Sequence, residues 1–168
     1  PLVFKTLKIL GEQDNVKTEN IILKYSTNLS KLNFSKKMDI IELWKKFKSI
    51  KLTISIDGDP ERNKYIRHGA DSWLLKENLA IARKELGSKL EVKATTTVQA
   101  LNTPYLAETG QWIVNELNCN WHTSRLQWPK HLHSNVLPVN ILEDSIKKIK
   151  KVNVNLLKDT MDSEIEKY

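Results

Sequence analysis

The chain has 168 residues, 40% hydrophobic and 28% charged, with a formal net charge of +7, which is the balance of a globular domain with one sizeable core. No run of about 18 apolar residues offers a membrane span, and the first residues lack the basic end, apolar middle and small-residue cleavage site of a secretory signal, so a cytoplasmic chain without a membrane partner is expected. The lone Cys119 excludes an internal disulfide framework and any multi-cysteine metal site.

Basic charge raises the prospect of nucleic acid, since lysines can replace counterions along a phosphate backbone. Its distribution argues against that. The excess is mostly Lys, scattered in doublets such as Lys36-Lys37, Lys45-Lys46, Lys147-Lys148 and Lys150-Lys151, which read as solvated helix faces.

Apolar periodicity predicts elements in a regular order. A helix over 2–10 opens with Pro1 in its first turn, where proline is tolerated. A strand over 20–27 follows, then a helix over 36–47 with Ile40, Ile41, Leu43, Trp44 and Phe47 on one face. The strand over 51–57 leads to a helix over 73–86 that Gly87 stops. The strand over 90–99 precedes a helix over 104–117, with Thr103 before Pro104 as its expected cap. A strand over 120–127 and a helix over 137–149 complete the series. Each strand–helix unit takes about 30 to 40 residues, the size of a βα repeat, and long helical crossovers make successive strands parallel.

Parallel strands covered on both faces read as continuous apolar runs, whereas these alternate. Leu52, Ile54 and Ile56 oppose Thr53, Ser55 and Asp57; Leu90, Val92, Ala94 and Val98 oppose Glu91, Lys93, Thr95, Thr97 and Gln99. One polar face implies helices on the outside only and a functional interior, as in a barrel or part-barrel. Barrel chemistry sits at the carboxyl ends of strands. Those ends supply the candidate residues Thr27, Asn28, Ser55, Asp57, Thr97 and Gln99.

Each has a plainer reading. Asp57-Gly58-Asp59-Pro60 is good turn sequence. Arg62 and Arg67 can face solvent beside Glu61 or Asp71, and Ser26-Thr27-Asn28 can cap a turn. Cys119, His122, His131 and His133 are metal-binding residue types, but their spacing is not that of a structural zinc site, and Cys119 fits better as a small buried residue. Trp121, Trp128 and the His131/His133 pair are expected on the substrate side of the interior; Trp44, Trp73 and Trp112 are expected in packing. An acid–base pair of Asp57 and His122 would suit a metal-independent enzyme, and a basic α/β module gripping an anionic ligand or RNA is the non-enzymatic alternative.

The strand ends carry a resemblance. Tyr25-Ser26-Thr27-Asn28-Leu29, Trp44-Lys45-Lys46-Phe47-Lys48 leading to Ser55-Ile56-Asp57-Gly58, the run from Glu61 to Gly69, Thr97-Val98-Gln99-Ala100-Leu101-Asn102 and Asn135-Val136-Leu137-Pro138 together resemble the radical S-adenosylmethionine superfamily. The likeness is greatest to members with a small "twitch" extension and covers roughly residues 1–149. The superfamily's CxxxCxxC and Gly-Gly-Glu motifs are absent. The resemblance therefore implies the third to sixth strands of a partial (β/α)6 TIM-like barrel with outer helices over 1–151, and over 152–168 a linker or truncated extension. It implies S-adenosyl-L-methionine as cofactor, and a [4Fe-4S] cluster whose ligands lie outside this sequence. Reductive cleavage at that cluster would give a 5′-deoxyadenosyl radical that takes hydrogen from a peptide or small-molecule substrate, with flavodoxin or ferredoxin as electron donor. On this reading Ser55 and Arg67 hold the methionyl carboxylate, while Asp57, Thr27, Asn28, Thr97 and Gln99 surround ribose, adenine or substrate. The sequence alone would be inactive.

Overall fold

A computed structural model describes residues 2–12, 16–35 and 38–152. In chain order it holds α1 (Leu2–Glu12), β1 (Ile22–Thr27), β2 (Asn33–Ser35), β3 (Met38–Asp39), α2 (Ile40–Lys45), β4 (Ser49–Ser55), α3 (Pro60–Ile66), α4 (Ser72–Leu86), β5 (Leu90–Val98), α5 (Leu106–Leu117), β6 (Asn120–Arg125) and α6 (Val139–Lys151). Three helices start on aspartates that cover backbone N–H groups left without helical partners. Asp39 accepts from the Ile41 N–H, Asp59 from that of Arg62, and Asp71 from those of Trp73 and Leu74. Gly87 at φ 52° and Asn118 at φ 46° end α4 and α5 in the left-handed region, where Gly and Asn are tolerated.

Four strands form one all-parallel sheet in the order β1-β4-β5-β6, and β2 and β3 form a small antiparallel hairpin beside it. Ile50, Leu52, Ile54 and Ile56 are buried to within 1% on one face. They join Trp44 and Phe47 from α2 and its end, Leu75, Leu79 and Ala82 from α4, and Ile113 and Leu117 from α5. The other face is polar, as the alternation predicts. Register aligns it in rows: Lys24, Lys51 and Glu91; then Ser26, Thr53, Lys93 and Asn120; then Ser55, Thr95 and His122; and finally Thr97 with Ser124. Ser55, Thr95 and His122 are half-buried. Among the described residues no helix is long and apolar enough to cross a membrane.

The four strands and five expected helices are all present, with shifted ends. The helix expected over 36–47 covers only Ile40–Lys45 within the described residues, because Met38 and Asp39 pair in the hairpin and Asp39 caps; Lys36 and Lys37 lie outside them. Thr103 is not a helix cap. Residues Thr103–Tyr105 form a 3-10 turn, and the Thr103 hydroxyl donates back to the Gln99 carbonyl at 2.7 Å. Residues 153–168 lie outside the described segments.

Candidate functional site

The carboxyl ends of β4 and β5 are joined by a buried polar network centred on Asp57. Its carboxylate accepts the Thr97 N–H on Oδ1 at 2.7 Å and the Arg67 Nε–H on Oδ2 at 2.6 Å. The Asp57 side chain is only 5% exposed, whereas that of Arg67 is 34% exposed. A carboxylate so withdrawn from water needs this compensation, and a charged hydrogen bond from Arg supplies it. Arg67 is positioned by α3, whose first turn combines the Asp59 cap with Pro60 and whose end Arg67 itself forms. The sheet thereby fixes the acid and a separate short helix fixes the base.

Two asparagines complete the network. Asn63, 1% exposed, accepts the Asp57 N–H at 2.8 Å and donates to Ser72 Oγ at 3.0 Å. Asn102 is fully buried; its amide donates to the carbonyls of Asp57 and Thr97 at 3.1 and 2.9 Å, and its Oδ1 accepts from the Gln99 N–H at 2.9 Å. Sequence reasoning did not single out either one. Each sits where a side-chain amide can serve backbone groups beyond the last ladder bonds, a position that local polarity does not distinguish from a solvated loop. Below them the Trp121 indole donates to Thr96 Oγ1 at 2.8 Å, and Thr96 donates to the Ile56 carbonyl at 2.5 Å.

The expected residues divide into three groups. Ser55, Asp57, Thr97 and Arg67 gather at the mouth of the polar face, with Thr95, His122 and Ser124 beside them in register. Gln99 is buried just beyond β5, its main chain tied to Asn102 and Thr103. Thr27 and Asn28 make local turn contacts: Thr27 Oγ1 accepts the Leu29 N–H at 3.0 Å, and Asn28 Oδ1 accepts from the N–H and hydroxyl of Ser30. The arginines do not take Glu61 or Asp71. Arg62 pairs with Asp59 and lies over the Tyr105 ring, 3.7 Å from its centroid.

Comparison with protein-family models and with curated proteins finds no match. The chemistry available is therefore that of the side chains themselves. Both oxygens of Asp57 are committed, one to a backbone N–H and one to a permanent cation, so Asp57 is a poor general base for His122. What the mouth does offer is a half-exposed guanidinium held at a fixed angle, with hydroxyls of Ser55, Thr95 and Thr97 on the adjoining face. Such a fork matches a carboxylate or phosphate.

One expectation about the remaining residues changes. Trp121 does not line the polar face: it is 2% exposed on the helix side, packed so closely on α5 that a Cβ on Gly110 would stand 2.3 Å from its ring. Trp128 is 74% exposed in the segment after β6. Cys119 is buried; its Sγ meets Arg83 Nη2 at 3.3 Å, and burial raises its thiol pKa despite that cation. Among the described residues no three His, Cys, Asp or Glu side chains converge as metal ligands.

Proposed function

We propose that these residues are the cofactor-holding mouth of a radical S-adenosylmethionine enzyme, forming the third to sixth strand–helix units of a partial (β/α)6 barrel. The observation that carries the reading is the Asp57–Arg67 pair at the carboxyl end of a parallel sheet with one polar face. S-adenosylmethionine, cleaved reductively at a [4Fe-4S] cluster, supplies the radical chemistry, and the protein binds, orients and excludes water. Cluster ligands belong to residues outside this sequence, because Cys119 is single and buried.

Within this chain Arg67 receives the methionyl carboxylate, and Asp57 holds the guanidinium so that binding does not have to order it. Ser55 adds a neutral donor from the same strand end. Thr97 and Gln99 lie toward the ribose or adenine, and Thr27 and Asn28, whose side-chain oxygens accept in the turn after β1, offer their hydroxyl and amide protons there. Thr95, His122 and Ser124 face the peptide or small-molecule substrate. Flavodoxin or ferredoxin is the electron donor this chemistry calls for.

The test uses the complete polypeptide with its cluster assembled. Arg67→Ala should weaken S-adenosylmethionine binding at least tenfold in equilibrium dialysis while the iron–sulfur spectrum is unchanged. Binding equal to that of the parent enzyme would remove Arg67 from this role. Salt-sensitive retention of RNA by a chain that does not bind S-adenosylmethionine would favour the basic binding module instead.

A further inference from the structure

The polar face of the sheet carries an unbalanced charge. Glu91 is the one acid in the four strands, and three lysines share the face with it: Lys24 on β1, Lys51 on β4 and Lys93 on β5. Lys51 takes the acid, its Nζ 2.6 Å from Glu91 Oε2. The Glu91 carboxyl is held below the usual carboxylate range first by that bond, and more weakly by the fields of Lys93 and Lys24. At the carboxyl end of the strands Asp57 is committed to Arg67. Lys24 and Lys93 therefore have no acid of their own among the described residues.

The two lysines differ in position. Lys24 is exposed on an edge strand, whereas Lys93 is half-buried on an inner one. Register sets Lys93 between Thr53 and Asn120, and the next row toward the mouth holds Ser55, Thr95 and His122. The hydroxyls of Thr53, Ser55 and Thr95 and the His122 ring make no hydrogen bond among the described residues. A cation set among unengaged neutral donors complements an anion. On an open sheet water satisfies such a lysine. The barrel proposed above turns this face inward, and an enclosed ammonium group needs an anionic partner.

We infer that the substrate of the proposed enzyme carries a carboxylate or phosphate group and that Lys93 receives it, with Thr95 and His122 as neutral donors beside it. The inference rests on the barrel reading and supplies the class of substrate which that reading leaves open. Lys93 comes four residues before Thr97 on β5, about 13 Å along the strand. Its ammonium group thus meets the substrate below the mouth, and the reacting part of the substrate lies on the mouth side of the anionic group.

Calorimetric titration of the complete, cluster-loaded polypeptide, saturated with S-adenosylmethionine, tests the assignment with glutarate, inorganic phosphate and cadaverine as probes. At least one of the two anions should bind saturably, the tighter identifying the group as carboxylate or phosphate, and cadaverine should not bind. Lys93→Gln should weaken that anion at least tenfold and leave S-adenosylmethionine binding unchanged, while Lys93→Arg, which keeps the charge, should retain the anion. Lys93→Met gives the same comparison if Lys93→Gln does not fold. Absence of saturable binding by either anion, undiminished binding to the folded Gln or Met variant, or equal binding of cadaverine would overturn the assignment. A lowered unfolding midpoint of Lys93→Gln with no anion bound to the parent would assign Lys93 to an ion pair with residues outside this sequence, and would equally overturn it. A parent polypeptide that does not bind S-adenosylmethionine is a separate result, which overturns the proposed function and this inference with it.

Discussion

Arg67 Nε lies 2.6 Å from Asp57 Oδ2, and the second Asp57 oxygen takes the Thr97 N–H. The acid therefore joins three pieces of chain: the end of β4, the end of β5 and the residue closing α3. Arg67 contributes only one of those links.

Asp57→Ala should for that reason destabilise the fold more than Arg67→Ala. The first leaves a backbone N–H and a partly buried guanidinium without partners, an effect of about 2–4 kcal/mol. The second leaves the 5%-exposed carboxylate without its cation but with its backbone donor, a cost of about 1–3 kcal/mol. Urea unfolding of both variants and of the double mutant measures the order and the coupling. Losses that simply add would show that the two groups do not act as a pair, and equal losses would show that the Thr97 link contributes nothing beyond Arg67.

Thr96→Val keeps shape and removes one hydroxyl that serves two buried partners. The Trp121 N–H and the Ile56 carbonyl both lose Thr96 Oγ1, so the expected cost is about 1–3 kcal/mol. Thr53→Val, half-exposed on the polar face of β4, should change stability by less than about 0.5 kcal/mol. A Thr96→Val midpoint matching that of Thr53→Val would mean that water replaces the hydroxyl without loss.

How much of this was legible depends on whether the signal was periodic. The period-two contrast of Leu52, Ile54 and Ile56 against Thr53 and Ser55 separates the faces of β4, and the structure buries the first set and half-exposes the second. In β6 the sequence Asn-Trp-His-Thr-Ser-Arg has almost no such contrast. Trp121 was consequently expected on the wrong face, and its fit against Gly110 together with its bond to Thr96 fixes its side. Helix α3 was missed because Pro60 to Ile66 has too few apolar residues for a helical stripe, though Asp59 followed by Pro60 is a helix-start signal. The partner of Arg67 was not legible either. Asp57, Asp59, Glu61 and Asp71 are all near it in sequence, and the choice among them depends on the turn of chain that α3 makes. At the mouth, Ser55, Asp57 and Thr97 were found by their place at strand ends, and Arg67 by the resemblance alone. Asn63 and Asn102 were not, since their function is to satisfy backbone groups of other segments.

Gly110→Ala should be among the more damaging glycine substitutions. A Cβ there meets three ring atoms of Trp121 at 2.3 to 2.9 Å, and the indole is held by its bond to Thr96, so relief requires moving α5 or breaking that bond. Overpacking of this kind costs about 1–3 kcal/mol. Gly11 lies in α1, where a Cβ meets only the Lys46 side chain at 3.4 Å or beyond. Gly11→Ala should therefore be neutral or gain up to about 1 kcal/mol from helix propensity. Thermal melts of the two variants give the comparison, and a shared sign would show that local sterics do not govern these positions.

Alkaline stability should be set in part by Tyr25 and Cys119. The Tyr25 ring packs against Trp44 with centroids 6.4 Å apart, and its buried hydroxyl has the Trp44 indole beside it as a marginal donor but makes no hydrogen bond of good geometry among the described residues. Burial raises the pKa of the phenol, and it raises that of the Cys119 thiol as well. Both groups are neutral when protonated, so the unfolded chain loses these protons at lower pH than the folded one. Their contribution is fully present below the ordinary values, about 8.5 for a thiol and 10 for a phenol, and is lost as pH rises from there through the raised folded values. Stability should thus decline with pH first above the thiol value and more steeply above the phenol value. Tyr25→Phe should flatten the second part of the decline and, because it removes a hydroxyl that makes no hydrogen bond of good geometry, leave stability at pH 7 unchanged or slightly higher. Denaturant midpoints from pH 7 to 11, with phenolate absorbance followed in parallel, separate the two groups. A Tyr25→Phe variant that keeps the full steep decline would show that Tyr25 ionises in the folded protein as freely as in the unfolded chain.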